Sequence, residues 1–327
     1  MTDHALTAAT PRVAARWQDY LALLKPRVMS LVVFTALTGL VCAGRPMNPW
    51  LAAIAILCIA VGAGGSAALN MAYDADIDLL MRRTRNRPVP AGRVQAADAL
   101  AMGIALSLLS VGLMALTFNL LAAFLLAFTI AFYALVYTMW LKRRTPQNIV
   151  IGGLAGALPP LVGWAAATGT APLNAWLLVA IIFFWTPPHF WALSLYASGD
   201  YAKAGVPMLP VVKGAQATRR GILAYSLLLA PLGVAPVITG LGGPIYLVVS
   251  ALGGLGFVAL AIRVAFSRAG DPDTATTPAD KETLYDVRAQ ARPARDLFLF
   301  SLIYLSTLFA ALLIERLPFV SAWMVGL

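Results

Sequence analysis

The chain has 327 residues, of which 60% are hydrophobic and only 12% charged, with a net charge of +10. Soluble domains carry about 25% charged residues, so half of that excludes an ordinary soluble enzyme. The positive balance does not indicate nucleic acid either, because the basic residues fall between long apolar runs, where they fit the orientation rule of membrane proteins.

Residues 1–27 read as a polar cytoplasmic tail carrying Arg12, Arg16, Lys25 and Arg27, with no cleavable signal. A membrane-crossing helix needs about 20 mostly apolar residues. Nine runs qualify, near 28–44, 50–73, 94–117, 120–141, 147–168, 174–197, 218–239, 244–266 and 296–316. The expected fold is therefore all-α and polytopic, with residues 28–327 forming one integral membrane domain in the lipid bilayer. Cys42 and Cys58 lie inside apolar runs and read as small buried residues, not as a disulfide.

Charge tests the helix count. With the N-terminus in the cytoplasm, every Lys and Arg except Arg45 and Arg316 falls on the cytoplasmic side, and the odd count puts the C-terminus outside. The long connections, 74–93, 198–217 and 267–295, share that side, so chemistry is expected there. Residues 269–283 read as flexible and solvated. Glycine clusters such as Gly62–Ser66 and Gly152–Gly156 read as close helix contacts in lipid.

The end of the second span holds the sharpest signal. Asn70, Asp74 and Asp78 recur every four residues, which stacks them in one row on a helix. A carboxylate at membrane depth costs about 2.5–3.5 kcal/mol on insertion scales, so something must offset this row. Mg²⁺ does so with oxygen ligands from carboxylates and substrate phosphates. The plainer alternative is a solvated helix end with Asp78 pairing Arg82; Asp76 lies off the row. The basic run 82–88 follows at once and suits a diphosphate. A second basic cluster, 142–148, ends the fourth span. The connection 198–210 offers Asp200, Tyr201 and Lys203 on the same side, Asp200 as a further metal ligand.

His189 sits beside Pro187 and Pro188, which are expected to interrupt the sixth span and free backbone carbonyls. A lone intramembrane His is a functional candidate, against the alternative that it only bonds those carbonyls.

Together these residues resemble the UbiA superfamily of intramembrane prenyltransferases, whose mark is N-x-x-x-D-x-x-x-D on an early span. The runs 74–87, 137–145 and 188–191 with 200–210 resemble the three cytoplasmic loops of its haem-farnesylating branch. Asp200 is followed four residues later by Ala204, where many relatives repeat the Asp, and Gly199 stands where that branch tends to carry Lys. The resemblance implies a UbiA-type bundle and an Mg²⁺-dependent enzyme of haem biosynthesis. Asn70, Asp74, Asp78 and Asp200 would hold the metal. Arg83, Arg87, Lys142, Arg143 and Lys203 would bind the diphosphate, and His189 the haem. Farnesyl diphosphate and haem B would be the substrates, with haem O as product for haem-copper oxidase assembly and haem A synthase and oxidase assembly factors as partners. Two other readings stay open: a quinone-precursor or chlorophyll-type acceptor, and a transporter with an acidic ion path.

Overall fold

The computed structural model describes residues 15–271, 291–318 and 320, and most of the connection expected to be flexible, 272–290, lies outside them. The described residues are helical throughout, without strands. Eight segments are each long and apolar enough to cross a membrane: α3 (Pro49–Tyr73), α5 (Ala96–Thr117), α6 with its continuation (Leu120–Leu141), the pair α7 and α8 (Asn148–Thr168), α9 (Leu173–Tyr196), α12 (Gly214–Ile238), α13 (Pro244–Ala265) and α14 (Arg292–Ile314). A bent pair, α1 (Trp17–Leu23) and α2 (Pro26–Cys42), makes a ninth if taken as one span. Leu108, Leu116, Ile238 and Phe266 stand largely exposed. Such a spread of bare apolar side chains belongs against lipid, not water.

The starts of these helices are written locally. Asn48 accepts from the backbone N–H of Trp50 at 2.9 Å, and Pro49 opens the first turn of α3. Asn119 caps α6 through Ala122 and donates to the Ala165 carbonyl at 2.8 Å, tying α6 to α8. Small residues set the tightest crossings. A Cβ on Gly65 would lie 3.0 Å from the Gly103 carbonyl oxygen, where α3 meets α5, and one on Gly39 would lie 1.9 Å from the Pro160 carbonyl oxygen, where α2 meets α8. Both cysteines are buried and free.

Four features depart from the expected pattern. Residues 17–23, read as tail, form α1, and the chain bends by 48° between α1 and α2. Pro26 causes this by denying Lys25 the right-handed helical conformation. The fifth span is two helices, α7 (Asn148–Ala157) and α8 (Pro159–Thr168), because Pro159 and Pro160 cannot continue the ladder. The second half of the fourth span is a π-helix, Phe132–Leu141. Finally, α9 runs unbroken through Pro187 and Pro188, which sit deep among neighbouring helices. Packing there holds a helix that lacks two ladder bonds.

Short helices α4 (Ala75–Leu80), α10 (Ser198–Lys203) and α11 (Leu209–Val212) cover one end of the bundle. Ile77, Met81, Ile149, Tyr201, Val206 and Met208 form a separate apolar knot there. It fastens the 198–210 connection over the end of α3.

Candidate active site

The row predicted on the second span is assembled as expected. Asp74 sits between α3 and α4, yet its N–H still reaches the Asn70 carbonyl at 2.9 Å, and the Asp78 N–H reaches the Asp74 carbonyl at 2.8 Å. The helical register therefore passes through the break, and the three side chains remain stacked. All three are buried, Asp74 completely and Asp78 to within 2%.

Buried carboxylates need paired charge, because desolvation costs several kcal/mol per ion. Two basic segments, 82–88 and 142–148, deliver it. Lys142 pairs with Asp74 Oδ2, and Arg143 approaches Asp74 Oδ1 at 3.6 Å. Arg143 also grips Asp76 with two bonds of 2.7 Å and lies over the Tyr73 ring at 4.9 Å. That grip holds the Asp76 carboxyl below its ordinary pKa. Arg87 donates to Asp78 Oδ2 at 2.6 Å. Asp78 thus pairs with Arg87, nine residues on, and not with Arg82 as the plainer reading had it; Arg82 turns to Asp200 at 3.5 Å.

The π-helix places two of these partners. Lys142 N–H bonds back five residues to the Tyr137 carbonyl at 2.9 Å, so the wider turn ends at the cation that meets Asp74. One turn earlier, Thr138 Oγ1 accepts from Asn70 Nδ2 at 3.0 Å. Gly152 makes room, since a Cβ there would come within 2.1 Å of the Tyr137 ring.

The donor set suits a hard divalent cation. Asp74 Oδ1 is buried and accepts no hydrogen bond. No three His, Cys, Asp or Glu side chains close on one point among the described residues. Mg²⁺ does not need them, because it is commonly held by one or two carboxylates plus substrate phosphates. Asn70, Asp74 and Asp78 therefore fit Mg²⁺. Asp200 lies on α10, engaged with Arg82 from the basic run that follows the row. Ala204 is buried in the apolar knot, where a second Asp would have no polar partner, whereas Gly199 faces open space. Arg83 and Lys203 are exposed at the same end.

His189 lies in α9 about 10 Å inward from the helix end, at 1.5 Å per residue. Its ring is stacked between Trp185 and Phe298, with centroids 4.2 and 4.7 Å away. It does not bond the carbonyls freed by the prolines. Its Nδ1 meets Ser301 Oγ on α14 at 2.6 Å, while Ser301 Oγ donates to the Phe298 carbonyl at 2.6 Å. That spends the hydroxyl hydrogen, so Nδ1–H is the donor to Ser301.

Lys25, Thr138 and Ser301 are the site neighbours that sequence reading missed. Lys25 Nζ donates to Asn70 Oδ1 at 2.7 Å. Its signal was present: a basic residue directly before the Pro that opens a span, at the same membrane level as the row.

Residues 32–278 match the UbiA prenyltransferase family. Relatives named Protoheme IX farnesyltransferase include one from Caulobacter vibrioides, 68% identical over 306 residues and covering 92% of this chain and 91% of its own. Another, from Maricaulis maris, is 57% identical over 312 residues, covering 95% and 92%. Among solved structures, digeranylgeranylglyceryl phosphate synthase superposes with a TM-score of 0.71 at 16% identity, covering 91% of this chain and 98% of its own. A UbiA homologue from Archaeoglobus fulgidus bound to DMAPP and Mg²⁺ gives 0.59 at 16%, covering 90% and 99%. The acidic row, the basic loops that meet it and the helical bundle around them have one common explanation: this chain belongs to the UbiA prenyltransferase family.

Proposed function

We propose that the protein transfers the farnesyl group of farnesyl diphosphate to a vinyl group of haem B, giving haem O. The observation that carries the donor half is Asp74: a fully buried carboxylate with one unbonded oxygen, ringed by the cations a diphosphate would need. The relatives named Protoheme IX farnesyltransferase support the acceptor half. The Archaeoglobus homologue bound to DMAPP and Mg²⁺ supports the metal.

Asn70, Asp74 and Asp78 hold the metal, with Asp200 as a further ligand. Mg²⁺ bound there supplies Lewis-acid neutralisation of the leaving diphosphate. Arg87, Lys142 and Arg143 bind the diphosphate oxygens, with Arg83 and Lys203 at the rim. Their fixed positive charge stabilises the anion as the allylic C–O bond breaks and its electron pair leaves with oxygen. The terminal vinyl carbon attacks the allylic carbon. Water then adds to the resulting cation beside the porphyrin and loses a proton, completing the hydroxyethylfarnesyl group. His189, offering Nε2, orients the porphyrin through its iron.

The row faces the cytoplasm, as the basic-residue distribution implies. The C-terminus lies outside, in a bacterial inner membrane. The reading is tested by incubating membranes with haem B, farnesyl diphosphate and Mg²⁺ and weighing the extracted pigment. A product of haem O mass is expected; unchanged haem B with a prenylated ring of another kind would favour a different acceptor.

A further inference from the structure

Lys25 belongs to none of the acidic or basic motifs, yet its surroundings tie it to the row. Its Nζ donates to Asn70 Oδ1 at 2.7 Å, and it shares the local field of Asp74, Asp78, Arg87 and Lys142. It is the only non-glycine residue with positive φ among the described residues, at φ 50° and ψ 56°. The left-handed conformation is disfavoured for a lysine, and here it occurs at the 48° bend that carries this side chain inward.

We propose that Lys25 is a diphosphate-binding residue, and that its ammonium and a divalent cation compete for Asn70 Oδ1. This rests on the metal-row reading above. An amide oxygen that accepts from an ammonium at 2.7 Å does not also ligate Mg²⁺ at about 2.0–2.1 Å with two cations side by side. Metal binding therefore releases Lys25. The neighbouring carboxylates already have partners, Asp74 in Lys142 and Asp78 in Arg87. Asp74 Oδ1, the one carboxylate oxygen without a hydrogen bond, would be taken by the metal, so the anionic oxygens left for Lys25 are those of the diphosphate that arrives with it. The bend at Pro26 holds the lysine backbone beside the row, so the amine passes from Asn70 to the diphosphate without leaving the site.

The consequence is a pair of effects of opposite sign. In full-length protein in lipid nanodiscs, Lys25→Met should bind Mn²⁺, followed by electron paramagnetic resonance without diphosphate, more tightly than the parent. The same variant should bind a non-hydrolysable farnesyl diphosphate analogue, at saturating Mg²⁺, about tenfold more weakly, the loss of one charge-assisted hydrogen bond. Lys25→Arg should restore most of the analogue affinity. Unchanged analogue binding in Lys25→Met would overturn the proposal. So would a parallel loss of Mn²⁺ and analogue, which is what a purely structural lysine predicts. Asp74→Asn separates the two layers: if it binds Mn²⁺ like the parent, the metal row itself is wrong, whatever Lys25 does.

Discussion

The acidic row below α3 and the aromatic box around His189 are both buried, but opposite physics holds them. The row concentrates charge, and each carboxylate is matched by a cation, Asp78 by Arg87 of its own connection, Asp74 and Asp76 by Lys142 and Arg143 from the end of the fourth span. The box contains one imidazole, flat aromatic faces and one hydroxyl. Charge suits a phosphate-bearing donor whose negative charge grows as it leaves. A stacked ring suits a flat, greasy acceptor with a metal at its centre. One bundle thus keeps an ionic end and an apolar interior apart, which two chemically unlike substrates require.

If that division is real, mutations should separate cleanly. Asp74→Ala should have the largest effect, lowering product formation by about a thousandfold or more, since it removes a metal ligand and its electrostatic stabilisation. Haem binding, read by absorption titration, should survive it. Lys142→Met leaves Asp74 with only Arg143 at 3.6 Å as a cation, and loss of one partner of a buried pair costs up to about 3–5 kcal/mol, visible as a lowered melting temperature in detergent. Ser301→Ala should weaken haem binding by about 10–100-fold, as loss of a ligand's outer partner does, with diphosphate-analogue affinity unchanged. Equal damage to both substrates would show that the two regions are not independent.

Gly152→Val tests the joint between them. Its side chain would strike Tyr137 and displace the π-helix that presents Thr138 and Lys142, at about 1–3 kcal/mol of stability, with a raised KM for the donor. The smallest effect belongs to Asp76→Asn. Its pair with Arg143 is exposed and worth under about 1 kcal/mol. Because Arg143 lowers the Asp76 pKa, that contribution is complete above the ordinary carboxylate pKa and fades as pH falls through the lowered value, so melting curves near neutrality should be flat with pH.

The two regions were unequally legible. The row could be read from spacing alone, because ligands four apart on one helix need no knowledge of the fold. The spans followed from hydropathy, and the glycine contacts from small residues in lipid. The box could not be read in the same way. His189 and Trp185 are near in sequence, but Ser301 and Phe298 come from the last helix, over a hundred residues on. Lys25 carried a weak signal, a basic residue before the Pro that opens a span, but its bond to Asn70 depends on a bend that only the folded chain fixes. Proline misled in α9, where tertiary packing outweighs the lost ladder bonds, and was overlooked at Pro159 and Pro160, where two prolines open α8 inside what had read as one span.

The central claim is that the row activates the prenyl donor for attack by haem. The direct measurement is the mass of pigment formed from haem B, farnesyl diphosphate and Mg²⁺ by membranes carrying the parent protein or Asp74→Ala. The parent should yield a pigment heavier than haem B by one farnesyl group and one hydroxyl, and the variant only unaltered haem B. Haem O formed by Asp74→Ala at the parental rate would contradict that claim.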